Sequence, residues 1–170
     1  MLQIIGAVLI ILGTAGIGLF EVYRLNLHIE TLSGFLSALE LMESEIYFNI
    51  SPLYDICKKL TRSARAPLRP FFAALSEGGG DVAGESFGDL WKRTLETMKL
   101  ELGGEERQVL LELGSTLGRY DIEGQAKAIS YVRRRFEGFL KEAVDVKSKM
   151  GRVYGTVGLA AGAAVVIILI

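Results

Sequence analysis

The chain has 170 residues, the length of one ordinary domain, yet half of them are hydrophobic and its mean hydropathy of +0.34 is too apolar for a typical soluble protein. A formal charge of −1 supplies no bulk field for nucleic acid. With one cysteine, Cys57, and one histidine, His28, an internal disulfide is excluded, no metal-ligand cluster of the usual spacing exists, and no cofactor is expected.

The apolar excess lies at the two ends. Met1 to Phe20 carries no charge, and as a helix rising 1.5 Å per residue it would measure about 30 Å, one hydrocarbon thickness. No basic n-region precedes Ile4, so the stretch reads as an anchor rather than a cleaved signal peptide. Leu32, Phe35, Leu36, Leu39, Met42 and Ile46 then make one apolar stripe at helical spacing. Glu43 falls on that stripe, a charge facing a core. Its neighbour one turn back is the like-charged Glu40, and neither a histidine nor a nucleophile setting accompanies it. A buried carboxylate bonded to Gln125 or to an arginine is therefore expected, not a catalytic acid. This helix is predicted to stop near Asn49, because Ser51 and Pro52 supply an N-cap and a first-turn proline for the next.

The second helix carries Leu53, Ile56, Cys57 and Leu60 and ends before Pro67, with Cys57 read as a small buried hydrophobe. A short third helix carries Leu68, Phe71, Phe72 and Leu75. The glycine-rich stretch from Glu77 to Ser86 is a flexible loop; no lysine follows its glycines at P-loop spacing and no hydrophobic strand precedes it, which argues against a nucleotide site. A fourth helix runs through Phe87, Leu90, Trp91, Leu95, Met98 and Leu102 to a stop at Gly103 and Gly104, with Trp91 as a core anchor. A fifth begins near Glu105 and runs through Leu110, Leu113, Leu117 and Tyr120. Gly114 and Gly118 sit on or beside its core face, where a missing side chain lets another helix come close despite a propensity cost of about 1 kcal/mol. Asp121 is the N-cap of a sixth helix, which carries Ile129, Val132, Phe136, Phe139, Leu140, Val146 and Met150. Gln125, one turn in, is placed to hydrogen-bond a neighbouring chain end. Nothing after Asp121 breaks this helix, and no stretch alternates as a strand would, so the fold class is all-α.

The last stretch, Val153 to Ile170, is again uncharged and about 27 Å long as a helix, enough to span with little tilt. Gly151, Gly155, Gly158 and Gly162 make one small-residue stripe there, and Gly6, Gly13 and Gly16 a shorter one at the start, the pattern of helices that approach closely in lipid. The predicted domains are thus two transmembrane helices, 1–20 and 153–170, around a middle segment, 21–152. From Glu77 to Glu123 the chain has a net charge of −6, and from Lys127 to Arg152 a net charge of +5. Lys141, Lys147, Lys149 and Arg152 occupy the turns before the second span and are expected against anionic headgroups. Together with Arg24 they favour a cytoplasmic middle segment.

Five features in order carry a resemblance. L-x-x-L-E-x-E-I appears from Leu39 to Ile46, with Met42 in the second leucine place and Glu43 and Glu45 as the acids. Pro52 and Leu53 follow, then the single Trp91. L-G-x-x-L-G-x-x-D-x-x-x-Q comes next, as Leu113, Gly114, Leu117, Gly118, Asp121 and Gln125, before the glycine-rich C-terminal span. Over essentially its whole length the chain resembles the stage III sporulation protein AB family of endospore-forming bacteria. The resemblance implies a non-enzymatic component of the mother-cell to forespore channel, set in the mother-cell membrane. It implies a soluble domain similar to that of the inner-membrane platform protein of type II secretion and type IV pilus systems, an antiparallel six-helix bundle, here flanked by N- and C-terminal transmembrane helices. It also implies contact with other channel proteins and with a secretion-type ATPase. A membrane-tethered adaptor or sensor unrelated to secretion is the alternative, an enzyme acting on lipid or peptidoglycan lacks a nucleophile, and homo-oligomerisation stays open.

Overall fold

Six helices and no strand make up the described residues of the computed structural model, which covers the backbone of residues 2–78, 85–119 and 121–169 and the side chains of 20–78, 85–119 and 121–150. The helices are α1 (Leu2–Phe48), α2 (Leu53–Ser63), α3 (Arg69–Glu77), α4 (Phe87–Thr97), α5 (Gly104–Thr116) and α6 (Ile122–Leu169). The number and order match the sequence reading, and α6 runs without a break from Ile122 to Leu169, as expected. The chain divides into two compact units, Leu27–Leu140 and Met1–Asn26 with Lys141–Ile170.

Leu27–Leu140 is built around aromatic rings. Phe35 of α1 meets Phe71 and Phe72 of α3 and Phe136 of α6 at centroid distances of 5.6, 6.4 and 5.8 Å, all edge to face. Such pairs add about 0.5–1.5 kcal/mol each beyond the area they bury. Phe71 passes the contact on to Trp91 at 5.1 Å. Leu32, Leu39, Met42, Ile56, Leu75 and Leu95 are wholly enclosed around them. Cys57 is buried as expected, and burial pushes its thiol up to about 12.

The fourth helix is shorter than its apolar spacing suggests. It ends at Thr97, and Met98 turns to extended backbone. The Arg107 guanidinium donates to the Leu95 and Leu100 carbonyls, satisfying acceptors that another helical turn would have used. Leu102 therefore belongs to a connection. His28 of α1 fixes that connection by donating from Nδ1 to the Glu101 carbonyl at 2.9 Å, while its Nε2 faces the Glu106 carboxylate at 3.2 Å. Glu106 in turn accepts from the Gly103 N–H and closes the start of α5.

Both ring nitrogens of His28 thus face acceptors, and the hydrogen bond to Glu106 raises its pKa above 6.5. A pKa raised on folding means that the imidazolium stabilises the folded state fully below 6.5 and that this contribution is lost as pH climbs through the folded-state value. The stability gap between the parent chain and His28→Gln should therefore be wide at about pH 5 and narrow at about pH 9. Denaturant midpoints at the two values measure it, and a gap independent of pH would remove His28 as the charged latch.

The turn between α5 and α6 differs in detail from the sequence reading. α5 ends at Thr116 with Leu117 extended, and Tyr120 lies outside the described residues. Gly118 is a turn residue at φ +79°, not a helix-seam residue: an added Cβ would meet only ordinary contacts at 3.6 and 3.7 Å. Its glycine is demanded by left-handed backbone, where a β-branched residue is strained by about 1–2 kcal/mol. Gly118→Val should lower stability by about that amount and Gly118→Asn by much less, since asparagine tolerates this region. Equal melting shifts for the two would mean that the turn relaxes. Asp121 and Gln125 act as expected: the Asp121 carboxylate accepts from the Gly124 N–H at 3.0 Å, and the Gln125 Oε1 accepts from the Gly118 N–H at 3.3 Å.

In the second unit, described by itself, Glu21 and Arg24 pair at 3.9 Å across one turn, and Lys141, Lys147 and Lys149 are exposed on α6. Among the described residues no helix is long and apolar enough to cross a membrane. The side chains of 1–19 and 151–170 are outside that set. Arg152 and the glycines Gly6, Gly13, Gly16, Gly151, Gly155, Gly158 and Gly162 are among them, so those expectations concern residues outside the description.

Candidate partner-binding site

The motif residues separate into three places. The first is a close crossing of α4 and α5. Trp91, fully enclosed, donates from Nε1 to the Leu110 carbonyl at 2.8 Å. A Cβ on Gly114 would lie 2.3 Å from the Trp91 ring, and one on Gly88 would lie 2.5 Å from the Gly114 carbonyl oxygen. The seam expected at Gly114 is therefore present, and Gly88 is its unforeseen partner. Leu117, buried, closes the end of it.

The second place is the corner between α1 and α2, organised by Glu45. The Glu45 carbonyl accepts from the Asn49 and Ser51 N–H groups at 3.2 and 3.1 Å. Its buried carboxylate accepts from the Lys59 ammonium at 2.6 Å and the Ser51 hydroxyl at 2.7 Å. Lys59, then Ser51, hold that carboxyl below the usual range. Ser51 is thus a ligand of Glu45 rather than the N-cap expected for α2, and Pro52 stands at the cap position without a side-chain hydrogen bond. The corner forces Ile50 to φ +51°. A β-branched residue there is a true outlier, in a position helices usually end on with glycine or asparagine.

The third place is an open groove between the last turns of α1 and the first turns of α6. Glu43 is not buried as its stripe position suggests. Its side chain is 31% exposed and paired with Arg133 of α6 at 3.2 Å, so the arginine expected for it is there, in a half-solvated setting. The periodic stripe misplaced it because Glu43 lies at the edge of the stripe, where α6 covers only one side. Two adjoining hollows, about 790 and 560 Å³, share Glu43 and Tyr47. Asp121, Ile122, Glu123 and Lys127 line the larger, and Glu40, Ser44, Phe48 and Arg133 the smaller. Among their lining residues Tyr47, Phe48 and Ile122 are 59, 76 and 40% exposed, and Ile50, two residues past Phe48, is 68% exposed. Tyr47 and Phe48 stack edge to face at 5.1 Å.

Sequence reasoning missed these apolar residues. Their signal was available: Tyr47, Phe48 and Ile50 fall just past the stripe, before a helix-stopping proline, where nothing in the chain is spaced to cover them. Chemically the groove offers carboxylates beside exposed rings. Among the described residues no group of histidine, cysteine, aspartate and glutamate is arranged to hold a metal ion.

The model of the stage III sporulation protein AB family matches residues 3–170. The chain belongs to this family. It is 26% identical to stage III sporulation protein AB of Bacillus subtilis (strain 168) over 173 residues, covering 99% of both chains. A solved structure of a stage III sporulation protein AB superposes with a TM-score of 0.62 at 25% identity, over 70% of this chain and 94% of that one. The residues that carry the resemblance thus divide, in this chain, between holding a crossing or a corner (Glu45, Gly114, Gly118, Gln125) and lining a surface groove (Glu43, Asp121).

Proposed function

We propose that the chain is a non-enzymatic platform of the mother-cell to forespore channel, anchored in the mother-cell membrane by its two apolar ends, with the α1/α6 groove as its docking site for another protein of that apparatus. Membership of a sporulation family supports the setting. The uncharged ends, each contained in a long helix, support the anchoring. The soluble domain is read as cytoplasmic from the basic residues that flank those ends, and a secretion-type ATPase is the kind of partner the platform reading implies. The observation that carries the docking site is the run of exposed apolar residues at the end of α1, of which Tyr47 and Phe48 line the groove. Three large apolar side chains stand exposed in four residues, one of them on strained backbone that a stability-driven sequence would give to glycine.

The test is sporulation in the chain's own host. Tyr47→Asp with Phe48→Asp should abolish spore formation while the protein remains folded and present in the membrane at the parental level, because neither ring is part of the core. Full sporulation by this variant would remove the groove from the function. Separately, an impermeant thiol reagent should fail to reach a cysteine introduced at Glu112 in intact cells, and labelling there would reverse the topology.

A further inference from the structure

From Lys58 to Arg69 the sequence holds five basic residues and no acidic one. Lys59 is taken by Glu45. Lys58, Arg62, Arg65 and Arg69 are exposed and have no carboxylate bound to them among the described residues. Lys58 and Arg62 stand one helical turn apart, where like charges repel. Asp55 shares with Lys58 and Arg62 the edge of a hollow of about 620 Å³, without an ion pair to either. A run of this kind costs the isolated domain stability and fits an anionic partner.

We infer that the partner is a second copy of this chain, whose α1/α6 groove receives the α2–α3 basic face. The inference rests on the groove being a protein-docking site. Four carboxylates line the groove, Glu40, Glu43, Asp121 and Glu123, with Arg133 and Lys127 held by Glu43 and Glu123, which leaves it net −2. Its rim is aromatic. A guanidinium is the side chain suited to that combination, since it forks onto carboxylates and lays its flat face on rings. Three of the four free cations are arginines.

The two faces cannot meet within one chain. Glu43 and Glu45 are two residues apart on α1, about 200° around the helix. Glu43 faces α6 and the groove, and Glu45 faces α2 through Lys59. The basic face and the groove therefore lie on opposite flanks of α1. Pairing them between copies gives a head-to-tail contact, which builds a ring or a filament rather than a closed pair. Its strength should fall with salt, as for any contact held by exposed charges.

The experiment measures the mass of the full chain in detergent by light scattering, over a range of concentrations and at low and high salt. The parent should associate at low salt and separate at high salt. Arg62→Glu with Arg65→Glu should reduce it to single chains, as should Glu40→Arg with Glu123→Arg. The milder Arg62→Gln with Arg65→Gln should weaken association without reversing charge. Circular dichroism and Trp91 fluorescence should be unchanged in all of them. The decisive chain carries all four reversals and should associate again, because the attraction is restored with its signs exchanged. A parent that stays single at every concentration would overturn the inference. So would a four-reversal chain that stays single, or a basic-face reversal that leaves the mass unchanged while abolishing binding to anionic vesicles. Loss of spores in the Tyr47 and Phe48 variant with parental self-association overturns the second-copy assignment alone and leaves the groove as a docking site for another protein.

Discussion

Gly114→Ala is expected to destabilise the bundle by about 3 kcal/mol, the upper range for forcing extra volume into a packed site. The added methyl would stand 2.3 Å from a ring carbon of Trp91, and that ring cannot swing away. It is held by its hydrogen bond to Leu110 and by Phe71 and Phe87 at 5.1 and 6.2 Å. Nor can α5 retreat from α4, since the Gly114 carbonyl rests against Gly88. The same substitution at Gly138 meets nothing within 4 Å. There it removes only the helix-propensity deficit of glycine and should stabilise by up to about 1 kcal/mol. Guanidinium unfolding of the two variants should move the midpoint in opposite directions. Shifts of the same sign would mean that the α4/α5 crossing is looser than its distances imply.

Phe35→Ala should be the most damaging substitution outside that crossing, with a loss of about 3–5 kcal/mol. Phe35 is 1% exposed and touches three other rings carried by two helices. Removing it leaves a cavity that α1, α3 and α6 all line and that none can fill alone. With typical domain stabilities of about 5–15 kcal/mol, the variant should remain folded only in part at moderate temperature. Phe139, partly exposed and covered on one face by Arg135 at 5.4 Å, should cost far less when changed to alanine. Unfolding followed by Trp91 fluorescence separates the two, and equal losses would show that Phe35 is not the hub.

What the sequence revealed depended on how local the cause was. Helix number and order were legible because apolar spacing, glycine and proline record them residue by residue. The Asp121 cap and the Gly114 crossing were legible for the same reason. The early end of α4 was not, because Arg107, from the following helix, supplies what stops it. Glu43 was misplaced for a related reason: periodicity gives a face, and only the partner helix decides which edge of that face stays wet. The groove needs two helices more than 70 residues apart in sequence to meet, so the exposed Tyr47 and Phe48 that line it read as a stripe's leftovers. The Lys58 to Arg69 run is fully visible as a row of bases in the sequence. Its isolation from any carboxylate is a property of the folded surface.

The enclosure of Cys57 gives the chain two chemical clocks. Burial pushes its thiol well above the usual range and leaves it no exposed surface, so little of it is thiolate at pH 8 and a maleimide has no path to it. A cysteine introduced on the surface would react in seconds, whereas Cys57 would react only when the bundle opens. One labelling time course on one chain therefore reads two things in the native membrane, without denaturant melts or a cysteine-free background. With a membrane-permeant maleimide, the fast phase reports that the introduced position lies on the surface. The slow phase reports how often the core comes apart.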